Sequence, residues 1–461
     1  MRQTYILSIF IGLGLSFGNL SCQKYLDAKS DQQLALISCI SDLQGLLDDY
    51  NQVSLHDPAI SEAAAENYYV TDESYQELPD NMKNLYVWAG SNVIYTDHYG
   101  DLSNPWYHCY INIYSANVIL SNIDNVIKTP ENETDWNSVK GQAYFLRAHN
   151  FMMATSLWCL AYDQNSASTD LGIPLRLDPD INKPSKRASV QQTYDQIVND
   201  LNKAIALLPV TPLHVFRASK PAACGLLARV YLFMRKYDSC FHYANMGLQL
   251  KSDLLDYNQV SQNADFPFAD FTFSNNPEII FGSYTAVRQL LGSRAKIDTV
   301  LYQSYNDNDL RKWCYFKDNG DGSHSYKGSY SGQVSLWNGI ATDELYLMRA
   351  ECYARMGKTD LAMQDLNTLM VNRWKQGTFK PFKATTSDEA LEILLQERRK
   401  ELVMRNIRWM DIKRLNKEGA GIILKRIVDG HTYSLPPNDP RSALAVPEDI
   451  VNLFGIKQNP R

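Results

Sequence analysis

The chain has 461 residues, an apolar fraction of 45% and a formal net charge of −6 at pH 7. That allows a substantial core, and it argues against a nucleic-acid partner, which needs a basic face. Beyond the first two dozen residues no apolar run reaches the roughly 20 residues that a membrane-spanning helix takes.

The start of the chain reads as a targeting segment. Met1-Arg2 leads into an apolar stretch from Ile6 to Leu20, followed by Ser21 and Cys22. A basic start, about 15 apolar residues and a small residue before a cut site describe a secretory signal. A Cys at the cut adds a thiol that can be acylated. More than one acyl chain is needed for stable anchoring, since each buried CH₂ contributes about 0.8 kcal/mol. Residues 1–21 therefore resemble a bacterial lipoprotein signal, with Asn19 where Leu is usual, and Cys22 is the expected lipidation site. Residues 22–461 are read as one domain.

Residues 71–105 are irregular and rich in Tyr, Asn and Asp. Helical spacing then dominates from about 106 to 250. Trp136 to Leu160 carries Val139, Ala143, Leu146, Phe151 and Ala154 on one side, and Ser189 to Leu208 is capped by Ser189 and closed by Pro209. Ala218 to Leu250 forms a helical hairpin turning near Arg235-Lys236-Tyr237. Residues 252–340 change character. They hold turn clusters such as Asp318-Asn319-Gly320-Asp321-Gly322 and one short candidate strand, Ile279 to Tyr284. Helical spacing returns over about 342–416, with a second hairpin from Thr342 to Asn372 turning near Gly357-Lys358-Thr359. The tail, 419–461, is proline-rich and is expected to wrap the scaffold with little regular structure.

The two hairpins align. Ala228, Tyr231, Met234, Lys236 and Asp238 superpose at one fixed offset on Ala350, Tyr353, Met356, Lys358 and Asp360. A small residue at the crossing and an aromatic one turn later suit two closely packed helices, and the pattern resembles the tetratricopeptide repeat. The predicted fold is thus mainly α, with tetratricopeptide-like pairs forming a scaffold that carries a loop-rich lobe.

Chemistry-bearing motifs are sparse. After Cys22 an odd number of cysteines remains: Cys39, Cys109, Cys159, Cys224, Cys240, Cys314 and Cys352. None forms a CxxC or has a His at metal-ligand spacing, so no metal or other cofactor is expected. Asp318 to Ser323 lacks the glutamate that ends a calcium loop, Ser329 standing in its place, and reads as a turn. Glu397 and Glu401 lie on one helix face among Arg398, Arg399, Arg405 and Arg408. This predicts ion pairs rather than a glycosidase pair, and Asp411 extends the pattern to a neighbouring helix. No nucleotide-binding loop is present, so the chain cannot power uptake itself.

Taken in order, the motifs resemble the SusD/RagB family of outer-membrane nutrient-binding lipoproteins over nearly the whole chain. They include Ser21-Cys22-Gln23-Lys24-Tyr25, the "WYHCYINIYSAN" stretch from Trp106, "GQAYFLRAHNF" from Gly141, and Arg187-Ala188-Ser189-Val190. "ELYLMRAECYARMGK" from Glu344, "QERRKELVMRNIRWMDIKR" from Gln396 and the closing Val446-Pro447-Glu448-Asp449-Ile450 complete the set. Asn406-Ile407 departs from the family's usual Glu-Gly.

The resemblance implies a non-enzymatic lipoprotein on the cell outer membrane. It would bind a glycan or similar oligomeric nutrient and deliver it to a SusC-like TonB-dependent transporter, acting as its lid. It also implies a ligand face built from the irregular stretches. Tyr and Trp rings stack on sugar faces while their polar edges bond hydroxyls. The candidates are therefore Trp88, Tyr95 and Tyr99 in the first stretch and Trp313, Tyr315, Tyr326 and Trp337 in the second. About half of these are expected to be packing residues, and Trp106, on a helix motif, is read as structural. An all-helical glycoside hydrolase and a pure protein–protein adaptor are the competing readings.

Overall fold

The computed structural model describes residues 39–55, 57, 60–89, 104–271, 276–285 and 294–461. The signal segment, Cys22, Tyr95 and Tyr99 lie outside the described residues.

Ten helices form the frame: α1 (Ile40–Leu47), α2 (Pro105–Asn122), α3 (Glu133–Trp158), α4 (Val190–Leu207), α5 (Lys220–Phe233), α6 (Tyr237–Leu250), α7 (Thr342–Arg355), α8 (Thr359–Met370), α9 (Ser387–Glu401) and α10 (Arg408–Asn416). Their starts follow from local chemistry. Asn104, Ser189, Ser219 and Thr386 each accept a backbone N–H of the first turn of α2, α4, α5 and α9, and Gln192 completes a capping box on α4. Consecutive helices from α2 to α8 pack side by side. α6 packs directly on α7 although residues 251–341 intervene.

The close approach of α6 to α7 depends on Gly247. A Cβ there would stand 2.3 Å from Leu345 Cδ2. Ala228 and Ala350, the aligned small residues, are both fully buried. The two hairpin turns share one geometry. Lys236 N–H donates to Tyr231 O and Lys358 N–H to Tyr353 O, both at 2.9 Å. The residue before each lysine is left-handed: Arg235 at φ +57° and Gly357 at φ +76°.

Bidentate Arg–carboxylate pairs staple the frame. Arg147 joins α3 to Asp200 of α4, and Arg229 joins α5 to Glu344 of α7. Arg349 joins α7 to Asp365 of α8, and Arg414 joins α10 to Glu351 of α7. Asp411 accepts from Arg398, tying α10 to α9 as expected, and also from Arg414.

The lobe, roughly 252–341, holds the one strand expected of it and more regular structure besides. The candidate strand runs from Ile279 to Thr285 and pairs antiparallel with Leu336–Ala341, Gly282 facing Gly339. A second hairpin pairs Phe316–Asp318 with His324–Tyr326 around the Asp318–Ser323 turn, which carries ordinary turn hydrogen bonds.

Two devices join lobe to frame. Asp57 accepts from both His149 of α3 and Ser283 of the lobe, each at 2.7 Å. Deeper, Arg311 binds Asp309, Glu397 and Glu401, while Arg373 binds Glu401 and Glu278. Glu397 and Glu401 are thus ion-paired. Their main partners are these two arginines from elsewhere in the chain, together with Lys400, rather than the arginines beside them in sequence.

The tail is more regular than expected. Leu424–Val428 and His431–Leu435 form an antiparallel hairpin whose turn, Asp429-Gly430, is left-handed at both residues. A helix follows at Glu448–Phe454. Asn459 donates to Trp158 O and Leu444 O, fastening the chain end to α3.

Candidate functional site

The sequence-derived aromatics separate by exposure. Trp88 is 2% exposed, donates Nε1–H to Ala64 O at 2.9 Å and lies under the Arg426 guanidinium. Trp337 is equally covered, with Arg405 over its ring and the two glycines of the strand pair against it. Tyr315 shares a buried hydroxyl chain with Tyr257 and Tyr330 that ends on Glu278. Tyr326 is half-buried and donates to Gly328 O. Burial pushes the Tyr315 and Tyr326 phenols well up. The faces of Trp88, Trp337 and Tyr315 are therefore occupied by the chain itself. Trp106 packs on Tyr110 and Trp158, a structural setting.

Trp313 differs. It is 44% exposed, on the short helix Leu310–Tyr315. Leu310, Arg311, Cys314 and Tyr315 of that helix point inward and are buried, which leaves Lys312 and Trp313 on the outer side. Asp309 caps the helix through the Arg311 N–H. Arg311 fixes the helix to α9 at 2.5 Å from Glu397 and 3.0 Å from Glu401. The indole itself is held, Nε1–H donating to Asp307 O at 3.0 Å.

Two further rings complete a surface that the sequence did not reveal. Tyr302 stacks on His324 with centroids 3.5 Å apart. Lys312 Nζ lies 5.1 Å from the Tyr302 ring and 5.8 Å from the Trp313 ring, so both rings neighbour one ammonium group. Asp307 neutralises that ammonium at 2.6 Å. Burial, with Lys312 adding to it, holds the His324 imidazole below its ordinary pKa despite Asp318 and Asp321. The neutral form of the ring is accordingly favoured. No periodic signal joins residues 302, 312 and 324; the tertiary packing brings them together.

Flat apolar faces, fixed before any ligand arrives and edged by hydrogen-bonding groups, suit a pyranose ring. Among the described residues no three His, Cys, Asp or Glu groups cluster as a metal site. The seven described cysteines are free, six of them buried. Glu397 and Glu401, the carboxylates at glycosidase-like spacing, are buried against arginines.

Comparison with known proteins bears on the whole chain. A family model described as starch-binding associating with outer membrane matches residues 24–232, and the SusD family model matches residues 337–438. A SusD-like protein P2 from Formosa agariphila is 23% identical over 384 residues, covering 70% of this chain and 74% of the relative. A SusD superfamily protein from Bacteroides thetaiotaomicron superposes with a TM-score of 0.73 at 20% identity, covering 92% of this chain and all of that one. A SusD-like protein described as laminarin-binding superposes with a TM-score of 0.64 at 18% identity, covering 91% of this chain and 98% of that one. At such identities the solved structures share the fold.

Proposed function

The chain belongs to the SusD family, and from that membership we propose that it binds a glycan, or a similar oligomeric nutrient, at the cell surface. It then delivers the ligand to a SusC-like TonB-dependent outer-membrane transporter, over which it acts as a lid. Cys22 carries the acyl chains that tether it to the outer membrane, and no bond in the ligand is made or broken.

The observation that supports this reading best is the Trp313 platform. An exposed indole is locked by its own hydrogen bond and by a helix fixed through Arg311 to the frame. Such rigidity suits a binding surface, because little conformational freedom is lost when ligand docks. The frame would face the transporter. An apolar concavity of about 310 Å³ between α2 and the Glu448–Phe454 helix, lined by Tyr107, Tyr110, Ile181 and Phe454, supports a protein contact on that side.

The test is titration of the mature protein with laminarin, starch and other polysaccharides. At least one should bind, and Trp313→Ala should weaken that binding by about tenfold or more without unfolding the chain. Release of reducing ends from a bound polysaccharide would favour the hydrolase reading instead. Co-purification with a β-barrel transporter, absent when the chain is not acylated, would test the partner.

A further inference from the structure

We propose that the platform takes uncharged glycans and turns away polyanionic ones such as uronate-rich or sulfated polysaccharides. This deepens the glycan reading above and rests on it.

The argument is a local inventory of charge. A sulfate or carboxylate is recognised by unpaired cations, above all by the guanidinium fork. The one arginine of the Trp313 helix, Arg311, points inward and is fully engaged by Asp309, Glu397 and Glu401. The ammonium beside both rings, Lys312, is already paired with Asp307 at 2.6 Å. His324 is stacked on Tyr302, and burial biases its imidazole toward the neutral form.

The groups around that imidazole are mostly acidic. Asp318 faces His324 across the hairpin, and Asp321 sits in the turn between the two strands. Hydrogen bonds from Ser323, with Lys296 adding to them, hold the Asp321 carboxyl below its usual pKa. Among the described residues three cations, Lys312, Lys317 and Lys296, thus stand against four carboxylates, Asp307, Asp265, Asp318 and Asp321. All four carboxylates are exposed. An approaching polyanion meets a slightly negative field, with Lys312 and Lys317 already paired to Asp307 and Asp265. An uncharged sugar meets flat rings edged by acceptors for its hydroxyls. Repulsion of this kind acts within a Debye length and is screened by salt, whereas stacking is not.

The experiment pairs each neutral polymer with a charged form of the same backbone. Laminarin and starch, each beside its sulfated derivative, and alginate are titrated against the mature protein and Trp313→Ala by calorimetry at low and high salt. A neutral polymer should bind through Trp313 with no dependence on salt. Sulfation should lower its affinity by about tenfold or more at low salt, less at high salt. Asp318→Lys with Asp321→Lys, both in an exposed turn, should restore binding of the sulfated form. Binding of a sulfated or uronate polymer through Trp313, with the neutral backbone weaker, would overturn the charge assignment while leaving the platform in place. Equal binding of every polymer by wild type and Trp313→Ala would instead remove the platform itself.

Discussion

Frame and lobe are held by different means. In the frame, long helices bury alanines and aliphatic side chains, and bidentate arginine pairs join one helix to the next. In the lobe, strands of two to seven residues enclose Trp337 and tyrosines such as Tyr315 and Tyr330, whose hydroxyls are individually bonded. The frame's contacts follow a repeat, so its shape is set by short-range pattern. The lobe's contacts are each singular, and it keeps its shape because charged groups fix it to the frame from outside. The two family-model matches, over 24–232 and 337–438, leave most of the lobe outside them. On the proposed function, position resides in the frame and ligand chemistry in the lobe.

The largest expected effect comes from breaking the join. Arg311→Ala leaves Asp309, Glu397 and Glu401 facing one another in a dry interior, and removal of one partner from a buried ion cluster costs about 3–5 kcal/mol. Denaturant melts should show that loss, and limited proteolysis should cut within 252–341 before it cuts the frame. Simultaneous cutting in both regions would mean they fold as one unit.

A pH effect of nearly that size should come from the frame side. Burial, with Glu66 adding to it against the Asn67 hydrogen bond, raises the Glu62 carboxyl to about 7. A carboxyl with a folded pKa above its unfolded value binds protons more tightly when folded. Stability should therefore fall as pH rises from about 4.5 to 7, by up to about 1.4 kcal/mol per unit. Glu62→Gln should flatten that slope in thermal melts recorded across the range, and an unchanged slope would assign it to another group.

Gly247→Ala sharpens the comparison within the frame. The added methyl meets Leu345 at 2.3 Å and should destabilise by about 1–3 kcal/mol. The smallest effect should come from the paired turns. Gly357→Ala strains a left-handed residue with open space around it, a loss of about 1 kcal/mol. Arg235→Gly relieves the same strain but forfeits the hydrogen bond to Tyr162 O, leaving stability near its starting value. Differential scanning calorimetry of the two variants should separate them.

This contrast also explains what the sequence could reveal. The frame helices were legible because a 3.6-residue repeat and terminal caps are local signals. Ser189 and the two hairpin turns fall where the pattern predicts. The tail hairpin carries a local signal of its own, since Asp429-Gly430 between alternating residues is hairpin chemistry. The lobe was legible only in part. Trp313 and Trp337 look alike in sequence, and nothing local says that the strand glycines cover one ring while the Arg311 anchor presents the other. Tyr302, Lys312 and His324 were invisible for the same reason.

The direct packing of α6 on α7 has one more consequence. Because the chain leaves the stack at Leu250 and returns beside it at Thr342, the intervening stretch behaves as a cassette whose two ends meet at one socket. Exchange of that cassette between relatives should transfer ligand preference while the host helices keep their register, which offers a route to new specificities by recombination rather than by point changes.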